Sequence, residues 1–384
     1  MKNEIGFVCI GQAGGNIGNL FDEIGFNVLY INTSKEDLDT LKNAKHVYHI
    51  PGGEGCYKNR EEAKRVLAKE IDALIDKIKA QFAEQDFIGV IFGTGGGTGS
   101  GMSPYLIDIL INDELFDDDD NPTHTVFAVP ILPDLNEAPL ARLNSYECFS
   151  ELNNITNLGA CYVIDNTKPD SMKMDYGKYK LSLNKKFVNY FTSFIEIPEK
   201  HKSEFGIIDK AEIKEMIRTP GMQIISVTPR KTSIAAIIED LERSPLFAPI
   251  DSDVNKRKLK YVASSTIEPL DYEAIVQAFG HYIDEYHTFN QEKNVIVLAG
   301  LRMPFNTLKR IEDSVSSIKD ELIRSMQEDT ENPLSDTSMI KSFRPARKRK
   351  RIVETTKESE NGGNKNGTAK PRKSRRRNIL DMYG

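Results

Sequence analysis

The sequence predicts an α/β protein built on a doubly wound parallel sheet, and three observations carry that expectation. Short apolar runs alternate with helical patterns over the first half of the chain. Two glycine-rich turns each follow an apolar run and open a helical stretch. A basic C-terminal stretch stands apart from an acidic body. Alternating strands and helices form parallel sheets covered on both faces, and ligands of such sheets sit at the carboxyl ends of the strands.

Strands are expected at Gly6–Ile10, Val28–Asn32, His46–Ile50, Phe87–Phe92, Thr125–Leu132 and Cys161–Ile164, each an apolar run bounded by turn residues. Arg60–Phe82 is the clearest helix, with Val66, Ile71, Leu74, Ile75 and Ile78 along one stripe. Leu181–Ile197 reads as a long connecting helix carrying Phe187, Phe191 and Phe194 at helical spacing. Beyond Gln223 the pattern changes to strands at Ile224–Thr228, Lys260–Ser265 and Val295–Gly300, with helices at Ile234–Glu242 and Tyr272–Tyr286. A charged helix over Thr307–Glu328 leads into the tail. The expected organisation is a ligand-binding domain over residues 1–180, a central helix over 181–206, a smaller α/β domain over 207–330 and a disordered basic tail over 331–384.

The turn at residues 93–101 reads Gly-Thr-Gly-Gly-Gly-Thr-Gly-Ser-Gly between Phe87–Phe92 and the apolar-periodic Met102–Leu110. A helix N-terminus offers free N–H groups and a partial positive charge, and glycines let backbone approach a ligand closely, so this turn is a phosphate cradle. It has no lysine and fails the pattern of P-loop enzymes. Backbone N–H groups and the hydroxyls of Thr94, Thr98 and Ser100 are left to hold phosphate. A second turn, Gly11–Gly18, follows the first strand. It departs from the dinucleotide fingerprint at Ala13, and the second strand ends in Asn32-Thr33-Ser34 with no acidic residue for a ribose, which argues against a nicotinamide cofactor. The four cysteines lack CxxC spacing and the six histidines show no zinc-type pairing, so no protein-held metal is expected.

The core Gly95–Gly101, GGGTGSG, resembles the signature of the tubulin/FtsZ superfamily of GTP-dependent filament proteins, and Gly11–Gly18 resembles that family's first nucleotide loop. The resemblance implies a GTPase that binds GTP or GDP, with Mg²⁺ carried on the nucleotide. It assigns nucleotide contacts to Gly11, Gln12, Ala13, Gly14, Gly15 and Asn16, to Asn32, and to Gly95, Gly96, Gly97, Thr98, Gly99 and Ser100. Gly52–Asn59 takes the place of the loop near the γ-phosphate. Glu137 and Arg142 fall at ribose and phosphate contacts, Asn166 beside the sugar, and Asn184 where guanine is read, with Asn189 the alternative. The segment Ile207–Ile213 matches one that enters the nucleotide site of the next subunit, so Asp209 and Glu212 become the catalytic candidates in a head-to-tail homopolymer. Glu212 departs from the paired aspartates common in FtsZ, and the alternative for Asp209 is a cap for a helix over Lys210–Arg218. Residues 31–38, 46–51 and 209–213 look most like the TubZ branch, the filament proteins of plasmids and phages that move or segregate DNA. A phage protein that positions replicating DNA and a cell-division FtsZ are the alternatives, as is a nucleotide-regulated module that assembles nothing.

At 384 residues and 39% hydrophobic content the chain can bury one large core or two medium ones. Residues 331–384 contain 15 Lys and Arg against six Asp and Glu, a local charge of +9 that leaves −15 of the net −6 on residues 1–330. The basic residues fall in two clusters: Arg344, Arg347, Lys348, Arg349, Lys350 and Arg351, then Arg372, Lys373, Arg375, Arg376 and Arg377. The polar spacer between them cannot offset its own ordering entropy. The segregation of sign suggests an electrostatic partner for the tail, a DNA-bound adaptor protein or DNA itself. No apolar run approaches the roughly 18 residues that cross a bilayer, so a cytoplasmic protein without a membrane partner is expected.

Overall fold

The computed structural model describes residues 1–316 apart from 43, 53, 113–123, 168, 170, 202, 205 and 291. In chain order its elements are β1 (Ile5–Ile10), α1 (Gly11–Glu23), β2 (Asn27–Asn32), α2 (Lys35–Asp39), β3 (Val47–His49), α3 (Arg60–Gln81), β4 (Phe87–Gly93), α4 (Thr98–Asn112), β5 (Thr125–Leu132), α5 (Pro139–Leu152), β6 (Ala160–Cys161), β7 (Ile164–Asp165) and α6 (Tyr176–Ile195). They continue with α7 (Ile197–Lys200), α8 (Lys210–Arg218), β8 (Gly221–Pro229), α9 (Ile234–Glu242), β9 (Tyr261–Thr266), α10 (Tyr272–Phe279), β10 (Asp284–Phe289), β11 (Lys293–Leu301) and α11 (Phe305–Ser316). No helix among the described residues is long and apolar enough to cross a membrane.

The strands form one sheet in the order β10-β9-β11-β8-β6-β5-β4-β1-β2-β3, with β7 also pairing β5. From β3 to β8 every pairing is parallel, and β11 runs antiparallel to both β8 and β9. The expected second domain is therefore an extension of the first sheet, joined where Ala160 and Cys161 pair with Gly221 and Met222. The central strands are buried on both faces, as parallel strands covered by helices must be: all six residues of β1 are inaccessible.

The phenylalanine stripe of α6 explains where the core sits. Phe7 of β1 stacks on Phe21 of α1 with centroids 4.1 Å apart, and Phe191 of α6 lies 5.7 Å from Phe7, 5.8 Å from Phe21 and 5.8 Å from Phe127 of β5. Phe187 and Phe194 are also fully buried. Ring pairs at these separations gain beyond their buried area, so one helix clamps the sheet beneath it.

Four elements differ from expectation. Helix α6 begins at Tyr176, five residues early, because the Asp175 carboxylate accepts from Lys178 N at 3.2 Å and caps it. The single strand expected at Cys161–Ile164 is split, since Val163 O accepts from Ala248 N and Asp165 N donates to Leu246 O, which diverts this stretch to the 246–248 segment. The helix expected over Tyr272–Tyr286 stops at Phe279, where Gly280 adopts φ +90°, and the chain turns back into edge strand β10. Of the helix expected over Thr307–Glu328, α11 covers Phe305–Ser316 and the rest lies outside the described residues.

A buried polar knot ties the stretch after α7 to the far end of the sheet. His201 Nδ1 lies 2.6 Å from Ser265 Oγ, Asn290 Nδ2 donates to the same oxygen at 2.7 Å, and Thr288 Oγ1 donates to Gly206 O at 2.8 Å. Burial, then the Lys293 ammonium, hold the imidazole pKa below its ordinary 6.5, while Glu292 opposes them. A neutral folded histidine binds fewer protons than the unfolded one, so its contribution is present above pH 6.5 and lost as the pH falls below it. The melting temperature should therefore fall between pH 7.5 and 5.5, and His201→Gln should flatten that slope; parallel slopes for the two proteins would exclude His201 as the cause.

Candidate nucleotide-binding site

A cavity of about 390 Å³ opens at the carboxyl ends of β1, β2, β4 and β5, bounded by Ile10, Asn32, Gly93 and Leu132. That is where a parallel α/β sheet presents a ligand, and the volume lies in the range of small-molecule sites. A larger groove of about 730 Å³ lies between α5 and α11. Its three cations, Lys256, Arg302 and Lys309, share the wall with three carboxylates, Asp251, Asp253 and Glu312, and two of them are paired, Lys256 with Asp253 at 3.0 Å and Arg302 with Asp251 at 3.6 Å, so the groove has no excess of positive charge for an anion.

Two helix N-termini meet over the cavity. Helix α1 starts at Gly11, with φ +70°, and a Cβ there would lie 3.4 Å from Gly99 N in the first turn of α4. The first-turn N–H groups of both helices have no partner within their own helices, and their dipoles add. At Gly97 a Cβ would stand 2.9 Å from Lys58 Cα, so only glycine lets the 52–59 loop close over the cradle. At Gly96 a Cβ would meet nothing within 4 Å, which leaves open floor for a ligand.

Gly11, Gln12, Ala13, Asn32, Gly95, Gly96, Gly97, Thr98, Gly99, Glu137 and Asn166 all line this cavity. The other candidates stand behind the wall. Gly14, Gly15 and Asn16 lie further along α1. Of the three hydroxyls expected to hold phosphate, only Thr98 belongs to the wall. Thr94 Oγ1 instead donates to Ile131 O at 3.0 Å and lies 2.8 Å from Ser145 Oγ, and Ser100 Oγ donates to Gly96 O, so both stiffen the loop. Arg142 sits on the first turn of α5 with its Nε buried and unpartnered, and Asn184 is buried on α6, neither on the wall.

The wall also includes Gly55, Tyr57 and Lys58, from the 52–59 loop expected near the γ-phosphate, and Asp37 and Lys180, which were not singled out. Glu137 accepts from Tyr176 OH at 2.9 Å and Lys180 Nζ at 3.1 Å, and that ammonium rests 4.2 Å from the Tyr176 ring centroid. Asn32 Oδ1 accepts from Thr33 N at 2.8 Å and Ser34 N at 3.2 Å, and Asn32 Nδ2 donates to Asp37 at 3.2 Å. Asn144 of α5 was also missed. Its amide donates to Lys58 O at 2.9 Å, Gly95 O at 3.3 Å and Gly96 O at 3.2 Å, tying the cradle to the 52–59 loop. Its one signal in the sequence is a polar residue on the buried face of a helix, between Leu143 and Cys148. Arg60 braces α4 from outside, donating to Ser100 O at 3.1 Å and pairing with Glu147 at 3.1 Å and with Glu151.

Asp209 and Glu212 lie at the other pole. Asp209 caps α8, accepting from Ala211 N at 2.7 Å and Glu212 N at 3.0 Å, while Glu212 Oε2 accepts from Asp209 N at 2.8 Å. The two form a reciprocal capping box. Burial raises the Glu212 pKa. Helix α8 is anchored by Lys214 to Glu4, just before β1, and to Asp86, just before β4, at 2.8 Å. Those are the amino ends of strands whose carboxyl ends form the cavity.

Asn166 Oδ1 is buried in the cavity wall with no hydrogen-bond partner. An orphaned buried acceptor costs about 1–3 kcal/mol, so a ligand that donates to it is favoured. Asn166→Leu should leave the ligand-free protein as stable as before or more so, and weaken guanine-nucleotide binding about tenfold or more in calorimetry. Unchanged affinity would remove Asn166 from the site.

Residues 4–170 match the Tubulin/FtsZ family, GTPase domain. The chain is 29% identical over 320 residues to the tubulin-like protein TubZ of a Clostridium botulinum C phage, covering 82% of this chain and 84% of that protein. It superposes on the crystal structure of C. botulinum phage c-st TubZ with a TM-score of 0.71 at 27% identity, over 84% of this chain and all of that one. At 16% identity it shares the fold of Bacillus thuringiensis serovar israelensis TubZ, solved as GDP-form protofilaments, with a TM-score of 0.65 over 84% of this chain and 94% of that one. The glycine cradle and the cavity at the strand ends thus lie in a segment, residues 4–170, that matches the tubulin/FtsZ GTPase domain, within a chain that has the fold of TubZ.

Proposed function

We propose that the chain is a GTPase that binds GTP and GDP in the cavity above α1 and α4 and assembles head to tail into filaments. The observation that carries this reading is polarity: the cavity opens at the carboxyl ends of the strands, while the exposed Asp209 caps α8 at the amino ends. Stacking one copy on the next brings the second surface over the first. TubZ protofilaments lend support through the shared fold.

In this reading Asp209 and Glu212 of one protomer complete the site of its neighbour and orient the attacking water, since phosphoryl transfer needs positioning and charge stabilisation more than a strong base. Asp37 and Glu137, the carboxylates on the wall, already accept hydrogen bonds, so Mg²⁺ would be held chiefly by the phosphates and would neutralise charge there. The residues behind the wall would act by holding the cradle rigid, and Asn184 would read guanine only if α6 shifts on binding.

The tail clusters at 344–351 and 372–377 lie outside the described residues. We assign them the DNA-bound adaptor or DNA as partner, in the cytoplasm, with segregation of plasmid or phage DNA as the task. Positioning of replicating phage DNA would use the same machine.

Asparagine caps helices as well as aspartate does, so Asp209→Asn retains the capping interaction and removes only the charge. It should bind GTP normally, lower turnover sharply and leave filaments that persist, as should Glu212→Gln. Normal turnover in both would reduce these carboxylates to a structural cap. Sedimentation with GTP but not GDP is expected for the full chain, with activity per protomer rising with concentration. Equal affinity for ATP and GTP would count against the assignment of Asn184 to the base and of Asn166 to the nucleoside. Deleting residues 342–384 should preserve GTP binding and abolish recruitment of the adaptor–DNA complex; recruitment that survives the deletion and high salt would move that partner to the acidic body.

A further inference from the structure

Resting on the nucleotide-site reading, we infer that Lys58 supplies the cation that the glycine cradle lacks and makes the site prefer a triphosphate over a diphosphate. Two lysines belong to the cavity wall, and they differ in engagement. Lys180 is paired with Glu137 at 3.1 Å and stacked on Tyr176. Lys58 is exposed, and its ammonium has no acidic or hydrogen-bonding partner among the described residues.

Sheet order fixes which part of a nucleotide each would meet. Strands run β7/β5-β4-β1-β2-β3 across the cavity. The orphaned Asn166 amide, Glu137 and Lys180 stand beyond β7 and β5, the two helix N-termini stand over β4 and β1, and Lys58 stands in the loop after β3. With the nucleoside beside Asn166 and the phosphates over the helix termini, the outermost phosphate arrives at Lys58.

The backbone there is held at a cost. Cys56, Tyr57 and Lys58 have φ of 51°, 43° and 62°, three consecutive non-glycine residues in the left-handed region. Each is unfavourable by about 1 kcal/mol or more, and such runs persist only where surroundings enforce them. The enforcing contacts are the Asn144 amide on Lys58 O at 2.9 Å, the Cys56 thiol on Thr33 Oγ1 at 3.6 Å, and the packing of Lys58 Cα over Gly97. These contacts hold the Lys58 backbone against the glycine cradle.

The test is calorimetric titration of the full chain with GTPγS and with GDP, for the wild type, Lys58→Gln and Lys58→Arg. All three carry the same backbone strain, and equal melting temperatures check that the loop is intact. Lys58→Gln should weaken GTPγS about tenfold or more and GDP less than twofold, and Lys58→Arg should retain the preference. Added salt should narrow the wild-type preference and leave that of Lys58→Gln unchanged. Equal losses for both nucleotides, or no loss for GTPγS, would overturn the role of Lys58 while the nucleotide site stands. A wild type that binds neither nucleotide would overturn the site itself, and Lys58 with it.

Discussion

The structure depends on bringing the N-termini of two helices, α1 and α4, against each other. Without a lysine in the glycine loop, the attraction for a polyanion rests on oriented N–H groups and two summed dipoles, and these weaken within about one helical turn. The approach of Gly11 to Gly99 is thus a geometric necessity, and it exists because β1 and β4 are neighbours in the sheet with Ile10 paired to Phe92. Thr94, Ser100, Asn144 and Arg60 then hold that arrangement from behind, through bonds that never face the cavity.

The same sheet connects the cavity to the opposite pole. Parallel strands present all their carboxyl ends on one side, so whatever packs at the amino ends is kept away from the chain's own ligand. Helix α8 is held there by Lys214, which bridges Glu4 and Asp86, and by Lys214 and Arg218 lying 5.9 Å and 5.3 Å from the Phe87 ring. Between the poles, α6 buries Phe187, Phe191 and Phe194 against the sheet and begins at the cavity with Tyr176 and Lys180. Its continuation through α7 is stitched to β9 and β10 at His201. Helix α6 therefore runs from the cavity wall, with aromatic contacts at its centre, to α7, whose Glu199 lies 3.7 Å from Lys210 of α8.

Much of this was legible in the sequence. The strand runs, the glycine turns and the phenylalanine stripe were readable because each depends on local spacing: period two or continuous apolar runs for strands, helical spacing for the clamp, glycine where backbone must turn or approach closely. The parallel sheet followed from alternation alone. The misreadings came where tertiary partners outbid local pattern, as in the diversion of Val163 to Ala248, or where one glycine ended a helix whose apolar periodicity ran on, as at Gly280.

Within the site, the expected Gly11, Gly95, Gly96, Gly97 and Gly99 of the two turns and the expected Asn32, Glu137 and Asn166 line the cavity, Lys58 was expected only as part of the 52–59 loop, and Asn144, Lys180 and Arg60 were not singled out. Asn144, Lys58, Lys180 and Arg60 lie on different elements, and nothing in their spacing shows that they meet. By itself the sequence determined that a strand would deliver a glycine turn to a helix terminus, because that is a local conformational requirement. Only the tertiary structure decided that two such turns would face each other, that Lys58 would stand beside one and Asp209 at the far pole. The order of strands in the sheet sets those distances, and it is fixed by packing across the whole core.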